Sequence, residues 1–277
     1  MRLLLLNTII GLIVSAGTIA QGYTGIDPTK APSDKTPSEL EGVGIKENLG
    51  GQLDLNLQYL NERGESLPLA TYFHQNRPVV MMMIYYSCPS LCNFQLNGLV
   101  DVLKNTKGTP GKDYELVAVS MDHSETPELA AAKKETYVKA LGQVEANDHW
   151  HFLVGSEQNV KALAQQLGFS FKWDESQKQF AHAAATYVVT PQGVLSRYLN
   201  GIAFDAQTLR FSLVEASRGK IGSIIEQLAL FCFQFDPHKN KYTLYAFNLV
   251  RIGALLTLLV LAIFLVPQWL GHRKSRA

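Results

Sequence analysis

The architecture of this chain follows from one segment, Pro78-Val-Val-Met-Met-Met-Ile-Tyr-Tyr-Ser-Cys88-Pro-Ser-Leu-Cys92. Its continuous apolar run after a proline predicts a central strand that is buried on both faces. The residues that follow predict a helix from about Ser90 to Lys104, because apolar side chains recur there at helical spacing. These side chains are Leu96, Leu99, Val100 and Leu103. The two cysteines therefore lie where a buried strand passes into a helix.

Further strands and helices are predicted on both sides of this segment. The alternating pattern of residues 53–60 indicates a half-buried strand, and a second short strand is expected after the turn at 61–64. Later strands are predicted at 115–121, 151–154, 186–190 and 194–198, and later helices after the cap residues Thr126, Ser156 and Asp205. This order predicts an α/β fold, a thioredoxin-like domain whose mixed central sheet is flanked by helices.

The two ends of the chain are apolar and predict membrane targeting. Residues 1–20 carry one basic residue and then an apolar run, which indicates a signal peptide or an uncleaved N-terminal anchor. Residues 252–270 contain no charged side chain and are followed by basic residues. We therefore expect a transmembrane helix over 246–270 and a cytoplasmic tail at 271–277, with the main domain on the opposite side of the membrane.

The chain between these ends has room for one well-buried domain. Residues 21–50 are rich in Gly, Pro and Ser and predict a flexible linker, residues 51–220 hold the predicted domain, and 221–245 form a membrane-proximal segment. The net charge of +1 gives no indication of nucleic acid binding. Three cysteines are too few for a disulfide scaffold, yet two of them lie close together, as in a functional site.

Cys88 and Cys92 have the spacing of a reactive or metal-binding pair. Residues i and i+4 share one helix face at about 5–6 Å, so two sulfurs can close a disulfide or hold one ion. The positive end of the helix stabilises a thiolate, which is the form needed for attack and for metal binding. A purely structural disulfide is the alternative, but it would close a very short loop and stabilise little.

A metal site would need a third ligand, and the seven histidines of the chain are the candidates. They are His74, His123, His149, His151, His182, His238 and His272. His182 precedes a predicted strand, and in a thioredoxin-like sheet that loop faces the start of the first helix. A lone histidine in such a loop is more often solvated or a cap, so spacing alone leaves the third ligand open.

Three segments of the chain match the motifs of a known family. They are Tyr85-Tyr-Ser-Cys-Pro-Ser-Leu-Cys92-Asn, Val119-Ser-Met-Asp122-His-Ser-Glu-Thr-Pro-Glu-Leu-Ala130, and Phe180-Ala-His182 followed by Thr190-Pro-Gln-Gly193. In this order, over about residues 42–242, the chain resembles the Sco/SenC family of cytochrome oxidase assembly proteins. Phe231-Cys-Phe-Gln-Phe-Asp-Pro237 and the apolar segment after it resemble a bacterial branch of that family. The resemblance implies a thioredoxin-like fold in which Cys88, Cys92 and His182 bind one copper ion.

The chain departs from the family at the second motif, where Asp122-His123 stands in place of the usual Asp-Pro. Asp122 is still expected close to the site, behind the ligands or in contact with a partner, and His123 is expected on the surface. His149 and His151 are interpreted as structural. Cys232 is either a small buried side chain or a membrane-proximal thiol, and the sequence does not choose between them.

The family resemblance implies a copper metallochaperone for the dinuclear copper centre of cytochrome c oxidase. Soft thiolates favour Cu(I) and imidazole accepts either copper state, although the same three ligands suit zinc. The alternative is an enzyme, a thiol-disulfide reductase in which Cys88 attacks and Cys92 resolves. A peroxidase is a weaker third possibility, because the threonine-proline context expected before a peroxidatic cysteine is missing here.

The expected partners follow from this function. They are the copper-site subunit of the oxidase, a periplasmic copper donor, thiol reductants and the membrane, with no nucleic acid. The expected location is the bacterial inner membrane, with a single C-terminal pass and the main domain in the periplasm.

Overall fold

A five-stranded sheet lies at the centre of the computed structural model, which describes residues 41–73, 76–217, 233–236, 239–244, 250–251 and 253–263. In chain order the strands are β1 (Gly44–Ile45), β2 (Gln58–Leu60), β3 (Ser66–Pro68), β4 (Val79–Ile84), β5 (Glu115–Ser120), β6 (Trp150–Leu153), β7 (Phe169–Asp174), β8 (Gln179–His182), β9 (Ala185–Val189), β10 (Leu195–Asn200), β11 (Phe233–Asp236) and β12 (Lys241–Leu244). The helices among them are α1 (Leu91–Asn105), α2 (Pro127–Leu141), α3 (Ala146–His149), α4 (Glu157–Gln166) and α5 (Ala206–Ala216).

The central sheet has the strand order β10-β9-β4-β5-β6. Strands β4, β5 and β6 run parallel, whereas β9 is antiparallel to β4 and β10 is antiparallel to β9. The middle strand β4 has all six residues buried, as its continuous apolar run predicts. The mixed central sheet predicted from the sequence is therefore confirmed.

The helices begin at the predicted cap residues. The side chains of Thr126, Ser156 and Asp205 accept hydrogen bonds from the backbone N–H groups three residues ahead, at 3.4, 3.3 and 2.7 Å. Such caps satisfy N–H groups that have no partner within the helix. Helix α4 is followed by Gly168, whose φ is +62° and whose missing Cβ would lie 1.8 Å from the carbonyl oxygen of Lys46. Glycine is required there for both reasons.

The predicted strand over residues 53–60 is only partly present. The structure forms β2 at its end, while Asp54 turns the preceding backbone. The Oδ1 atom of Asp54 accepts from the N–H of Asn56 at 2.9 Å, and its carbonyl accepts from the N–H of Leu57 at 3.4 Å. The prediction was wrong there because a local Asp turn outweighs the alternation of apolar residues. The short second strand, β3, is present and pairs with β2.

A second sheet, in the order β1-β7-β8, was not predicted. Strands β7 and β8 form an antiparallel hairpin, with Phe171 opposite His182. Strand β1 pairs with β7, so the structure differs from the predicted linker over 21–50 at Gly44–Ile45, which belong to this sheet. The hairpin matters for function because His182 is the last residue of β8, rather than part of a loop.

A short hairpin formed by β11 and β12 contacts the domain at β10 and α5. The hydroxyl of Tyr242 donates to Glu215 at 2.5 Å, and Arg197 pairs with the same carboxylate. The amide of Asn240 donates to the carbonyl of Asn200 at 2.7 Å. These polar contacts anchor the hairpin on the last helix and the edge strand of the domain.

The predictions for the ends of the chain concern residues that are mostly outside the described ranges. Residues 1–40, 218–232 and 264–277 are not described, and these include the predicted signal, most of the linker, Cys232 and the tail. In the described part of the chain, no helix combines the length and the apolar character that a bilayer crossing needs. The described residues 253–263, within the predicted membrane segment, are helical.

Candidate metal centre

Cys88 and Cys92 are placed by the end of β4 and the start of α1. The chain leaves β4 through a turn in which the N–H of Cys88 donates to the carbonyl of Tyr85 at 3.3 Å. Ser90 precedes the helix without making a side-chain cap, and the Cys88 sulfur accepts from the N–H of Cys92 at 3.4 Å instead. Cys88 therefore precedes the helix, and the expectation that it shares one helical face with Cys92 was wrong.

His182 reaches the two cysteines from the end of β8. Its Nδ1 atom lies 2.9 Å from the carbonyl oxygen of Ala183, and its Nε2 atom lies 3.5 Å from the Cys92 sulfur. A carbonyl oxygen only accepts hydrogen bonds, so Nδ1 carries the proton and donates it. In the neutral ring this leaves the Nε2 lone pair directed at the cysteines, which is the arrangement of a histidine ready to bind a metal.

The three side chains form a compact and buried donor set. One ligand atom from each of Cys88, Cys92 and His182 lies within 4.8 Å of the other two. Two donors of one ion, each at about 2.0–2.3 Å, are at most about 4.6 Å apart, so small movements suffice to enclose a metal. The residues are 4%, 0% and 9% exposed. Elsewhere in the described ranges, no His, Cys, Asp or Glu residues form such a group of three or more.

The two thiols have opposite acidities. The hydrogen bond from Cys92 lowers the pKa of the Cys88 thiol far below its usual range, against the effect of burial, and His182 and backbone N–H groups lower it further. The hydrogen bond to Cys88 and then burial raise the pKa of Cys92 well above its usual range. The hydrogen bond between the two sulfurs therefore favours a thiolate at Cys88 and a thiol at Cys92, in a pair that is reduced.

Aromatic rings surround the histidine. The rings of Tyr85 and Phe169 each have their centroids 6.1 Å from that of His182. Phe180, on the same strand as the histidine, packs edge-on against Tyr85 at 5.3 Å. This apolar surround restricts the orientation of the imidazole and lowers the local dielectric, which strengthens interactions between the thiolate and a cation.

The sequence around this site matches one family model. The model for SCO1/SenC matches residues 52–214, which is more than half of the chain and includes all three ligands. The chain belongs to the SCO1/SenC family. The three motifs that end at Gly193 lie inside the matched region, whereas the segment 231–237, on which the resemblance to a bacterial branch rests, lies outside it. No curated protein is significantly similar to the chain in sequence.

Solved structures show the SCO1/SenC chain to be similar in fold to distant proteins. A protein from Aquifex aeolicus VF5 that is assigned to electron transfer has 19% identity and a TM-score of 0.54, with 62% of this chain and 95% of that chain covered. BsSco, a member of the Sco family of cytochrome c oxidase assembly proteins, has 20% identity, coverage of 63% and 98%, and a TM-score of 0.49. Yeast Sco1 with copper bound has 16% identity, coverage of 64% and 96%, and a TM-score of 0.44.

Asp122 and His123 of this SCO1/SenC chain do not contact the three ligands through any described hydrogen bond. The carboxylate of Asp122 accepts from the N–H and the hydroxyl of Ser124, at 2.9 and 2.6 Å, and so closes its own turn. His123 is exposed. Both residues line a cavity of about 510 Å³ together with Phe180. The expected role of Asp122 behind the ligands stays a prediction.

Two residues that hold the cysteine loop were missed by the sequence analysis. Glu125 accepts from the backbone N–H groups of Tyr86 and Ser87, at 2.8 and 2.7 Å. The side-chain amide of Asn93 donates to the carbonyl of Cys88 at 2.9 Å. Both lie inside or next to the motifs that carry the family resemblance, which was the available signal. Their partners are backbone groups, so residue type and spacing alone did not reveal the contacts.

His149 and His151 lie at the opposite end of the central sheet. The Nδ1 atom of His149 is 3.1 Å from the carboxylate of Glu115, and the Nε2 atom of His151 is 3.9 Å from the same carboxylate. Arg77 pairs with Glu115 as well. This network connects the beginnings of neighbouring strands, in agreement with the structural interpretation of both histidines.

Proposed function

We propose that this chain is a copper metallochaperone that binds one copper ion through Cys88, Cys92 and His182. The observation that carries the proposal is the buried set of two sulfurs and one imidazole nitrogen, all within 4.8 Å of one another. The lowered pKa of Cys88 favours a thiolate there, and the histidine turns Nδ1 to the carbonyl of Ala183 and Nε2 towards the sulfurs. Thiolates are soft donors that select Cu(I), and imidazole accepts both copper states. Membership of the SCO1/SenC family supports copper over zinc.

The proposed recipient of the ion is the copper-site subunit of cytochrome c oxidase. Three protein ligands leave a coordination shell that an incoming pair of partner thiols can enter, so the ion can move by ligand exchange. A periplasmic donor would supply the copper, and thiol reductants would keep the cysteines reduced. We place the domain on the periplasmic side of a bacterial inner membrane, held there by the apolar segment over 246–270.

The second candidate function is a thiol-disulfide reductase that acts on the oxidase cysteines. The opposite acidities of the two thiols favour it, because an attacking thiolate at Cys88 and a protonated resolving thiol at Cys92 are the arrangement of such enzymes. In that function a disulfide forms between Cys88 and Cys92 as the partner disulfide is reduced. His182 is not required as a ligand, and this difference separates the two functions.

The test is copper binding by the full-length chain, kept in detergent, reduced and free of oxygen. Cu(I) is titrated against a chromogenic chelator, with Zn²⁺ as the competing ion. We expect one copper per chain, lost in Cys88→Ser and Cys92→Ser and weakened in His182→Gln, with the exposed His123→Gln as the matched control. Loss of a residue that only supports a ligand lowers metal affinity by about 10–100-fold, so loss of a ligand itself should lower it by at least as much.

The same variants decide between the two functions. If His182→Gln loses copper but still reduces a model disulfide at the wild-type rate, the histidine serves metal binding and the chaperone is supported. If the wild type retains no copper and only forms and reduces the Cys88–Cys92 disulfide, the reductase function replaces the chaperone function. Preference for Zn²⁺ over Cu(I) would contradict the copper chaperone.

A further inference from the structure

The turn that carries Cys88 is held in place by a carboxylate from another loop. Glu125 lies in the loop between β5 and α2, far from Cys88 in the sequence. Its Oε2 atom accepts from the N–H of Tyr86 at 2.8 Å, and its Oε1 atom accepts from the N–H of Ser87 at 2.7 Å. These two N–H groups belong to the residues directly before Cys88. Both oxygens of the Glu125 carboxylate thus accept hydrogen bonds from two consecutive backbone N–H groups.

The carboxylate is tied in turn to the end of the central sheet. The hydroxyl of Ser120, which is fully buried, donates to Oε2 of Glu125 at 2.6 Å. The same hydroxyl accepts from the N–H of Asp122 at 3.0 Å, which fixes the start of the loop that carries Glu125. Ser120 ends β5 and lies opposite Ile84, the last residue of β4. The contact therefore joins the cysteine turn to two adjacent strands of the sheet.

We propose that Glu125 is a positioning residue of the metal centre, which fixes the backbone at 86–87 so that the Cys88 sulfur keeps its place beside Cys92 and His182 in the metal-free state. The inference rests on the proposed function, because it assigns the residue to copper binding at that site. Glu125 makes no described hydrogen bond to the three ligand atoms, although its negative charge contributes to the raised pKa of Cys92. It acts through the two N–H groups, which would lose their partners in its absence and leave the turn free to relax.

The chemistry of this contact requires a carboxylate of this length. Three donors converge on Glu125, namely two N–H groups and one hydroxyl, and a carboxylate has acceptor sites for all of them. The amide of Gln has the same shape but only one acceptor oxygen, and its NH₂ group would face a backbone N–H. Asp has two oxygens but is one methylene shorter, so it does not span the two N–H groups and Ser120 together.

The experiment compares Glu125→Gln with Glu135→Gln, an exposed position on α2, in the full-length reduced protein. Hydrogen exchange of the amides of Tyr86 and Ser87 is measured without metal, and Cu(I) affinity is measured by chelator competition. For Glu125→Gln we expect exchange faster by about tenfold or more and Cu(I) binding weaker by about 10–100-fold. Glu135→Gln should match the wild type in both. Denaturation curves establish that each variant is folded.

Two results would overturn the proposal. One is exchange at wild-type rates in folded Glu125→Gln, and the other is faster exchange together with Cu(I) affinity within about twofold of the wild type. If Glu125→Gln does not fold, Ser120→Ala replaces it, because this change removes only one donor to the carboxylate. It must then speed amide exchange and weaken Cu(I) binding, both by less than is expected for Glu125→Gln. A wild type that binds no Cu(I) refutes the proposed function instead, and the exchange measurement still tests whether Glu125 holds the turn.

Discussion

At the metal centre, the protons on the three ligand side chains determine what a bound metal ion must displace. Cys88 is a thiolate, and the Nδ1 proton of His182 is committed to the carbonyl of Ala183 at 2.9 Å. The remaining proton is on Cys92, whose sulfur lies 3.5 Å from Nε2 and whose pKa is raised by its hydrogen bond to Cys88 and by burial. A metal ion that binds all three atoms has to displace this single proton.

Copper binding should therefore release about one proton per ion near neutral pH. The sign follows from the two shifts: between the lowered pKa of Cys88 and the raised pKa of Cys92, only Cys92 gives up a proton on binding. Cu(I) affinity should accordingly rise about tenfold per pH unit across that window. Calorimetry in buffers of different ionisation enthalpy measures the proton count. Release of two protons would mean that a second ligand atom is protonated at neutral pH and would contradict the assignment.

The hairpin of β7 and β8 positions His182 beside the two cysteines. Phe180 lies two residues before the histidine on β8, and its ring packs against Phe171 and Trp173 of β7 at 5.7 and 5.0 Å and against Tyr85 at 5.3 Å. Tyr85 belongs to the turn that leads to Cys88. One aromatic ring thus connects the two elements that bring the ligands together.

Phe180→Ala should weaken both the fold and the site. Loss of three aromatic contacts from a half-buried side chain should lower the free energy of unfolding by about 2 kcal/mol. Copper affinity should also fall, because the hairpin is no longer packed against the cysteine turn. Phe94→Ala is the matched control, since Phe94 is 58% exposed beside Cys92 and its removal leaves the hairpin intact. Equal effects of the two changes on copper affinity would contradict this role of the hairpin.

The elements that the sequence predicted correctly are those with local signals. The buried run of β4 and the caps Thr126 and Asp205 depend only on neighbouring residues, so periodicity and residue type sufficed. The β7–β8 hairpin was missed because its side chains are mostly half-buried and do not form a clean alternation. Glu125 was missed because its role depends on two loops meeting in space. His182 became a ligand candidate through the family resemblance, since spacing alone left it open.

Over the whole molecule, the metal centre and a buried charged network lie at opposite ends of the same sheet. Cys88 follows the last residue of β4, whereas Glu115 pairs with Val79 at the beginning of that strand. Glu115 is held by Arg77 and His149, and His151 of β6 lies at 3.9 Å. Changes in this network should therefore alter the stability of the domain without touching the ligands.

His151 is the residue through which acid should act on this network. Its ring stacks on Tyr72 with centroids 4.5 Å apart, and burial lowers its pKa from the ordinary 6.5 to about 4. The nearby Glu62 opposes that shift, while Lys134, His149 and Arg63 add to it. The imidazole is therefore neutral in the folded protein at neutral pH, and its protonation on acidification is more favourable in the unfolded chain than in the folded one.

The free energy of unfolding should consequently fall as the pH drops from 6.5 towards 4. In that window the unfolded chain binds the proton and the folded protein does not, so the stabilisation is complete above pH 6.5 and is lost by about pH 4. The loss from this one residue amounts to about 3 kcal/mol. Urea denaturation of the reduced, metal-free protein at several pH values measures it, and His151→Gln should flatten the curve in this window.

His123→Gln is the control for that measurement, because it removes an exposed imidazole from the loop between β5 and α2. It should keep the wild-type dependence on pH, whereas His151→Gln should lower it. Carboxylates titrate mainly below this range, so the part of the slope between pH 5 and 6.5 belongs chiefly to histidine. If the free energy of unfolding of both variants depends on pH between 5 and 6.5 as it does in the wild type, His151 is protonated equally in the folded and unfolded states. Burial would then not keep its imidazole neutral.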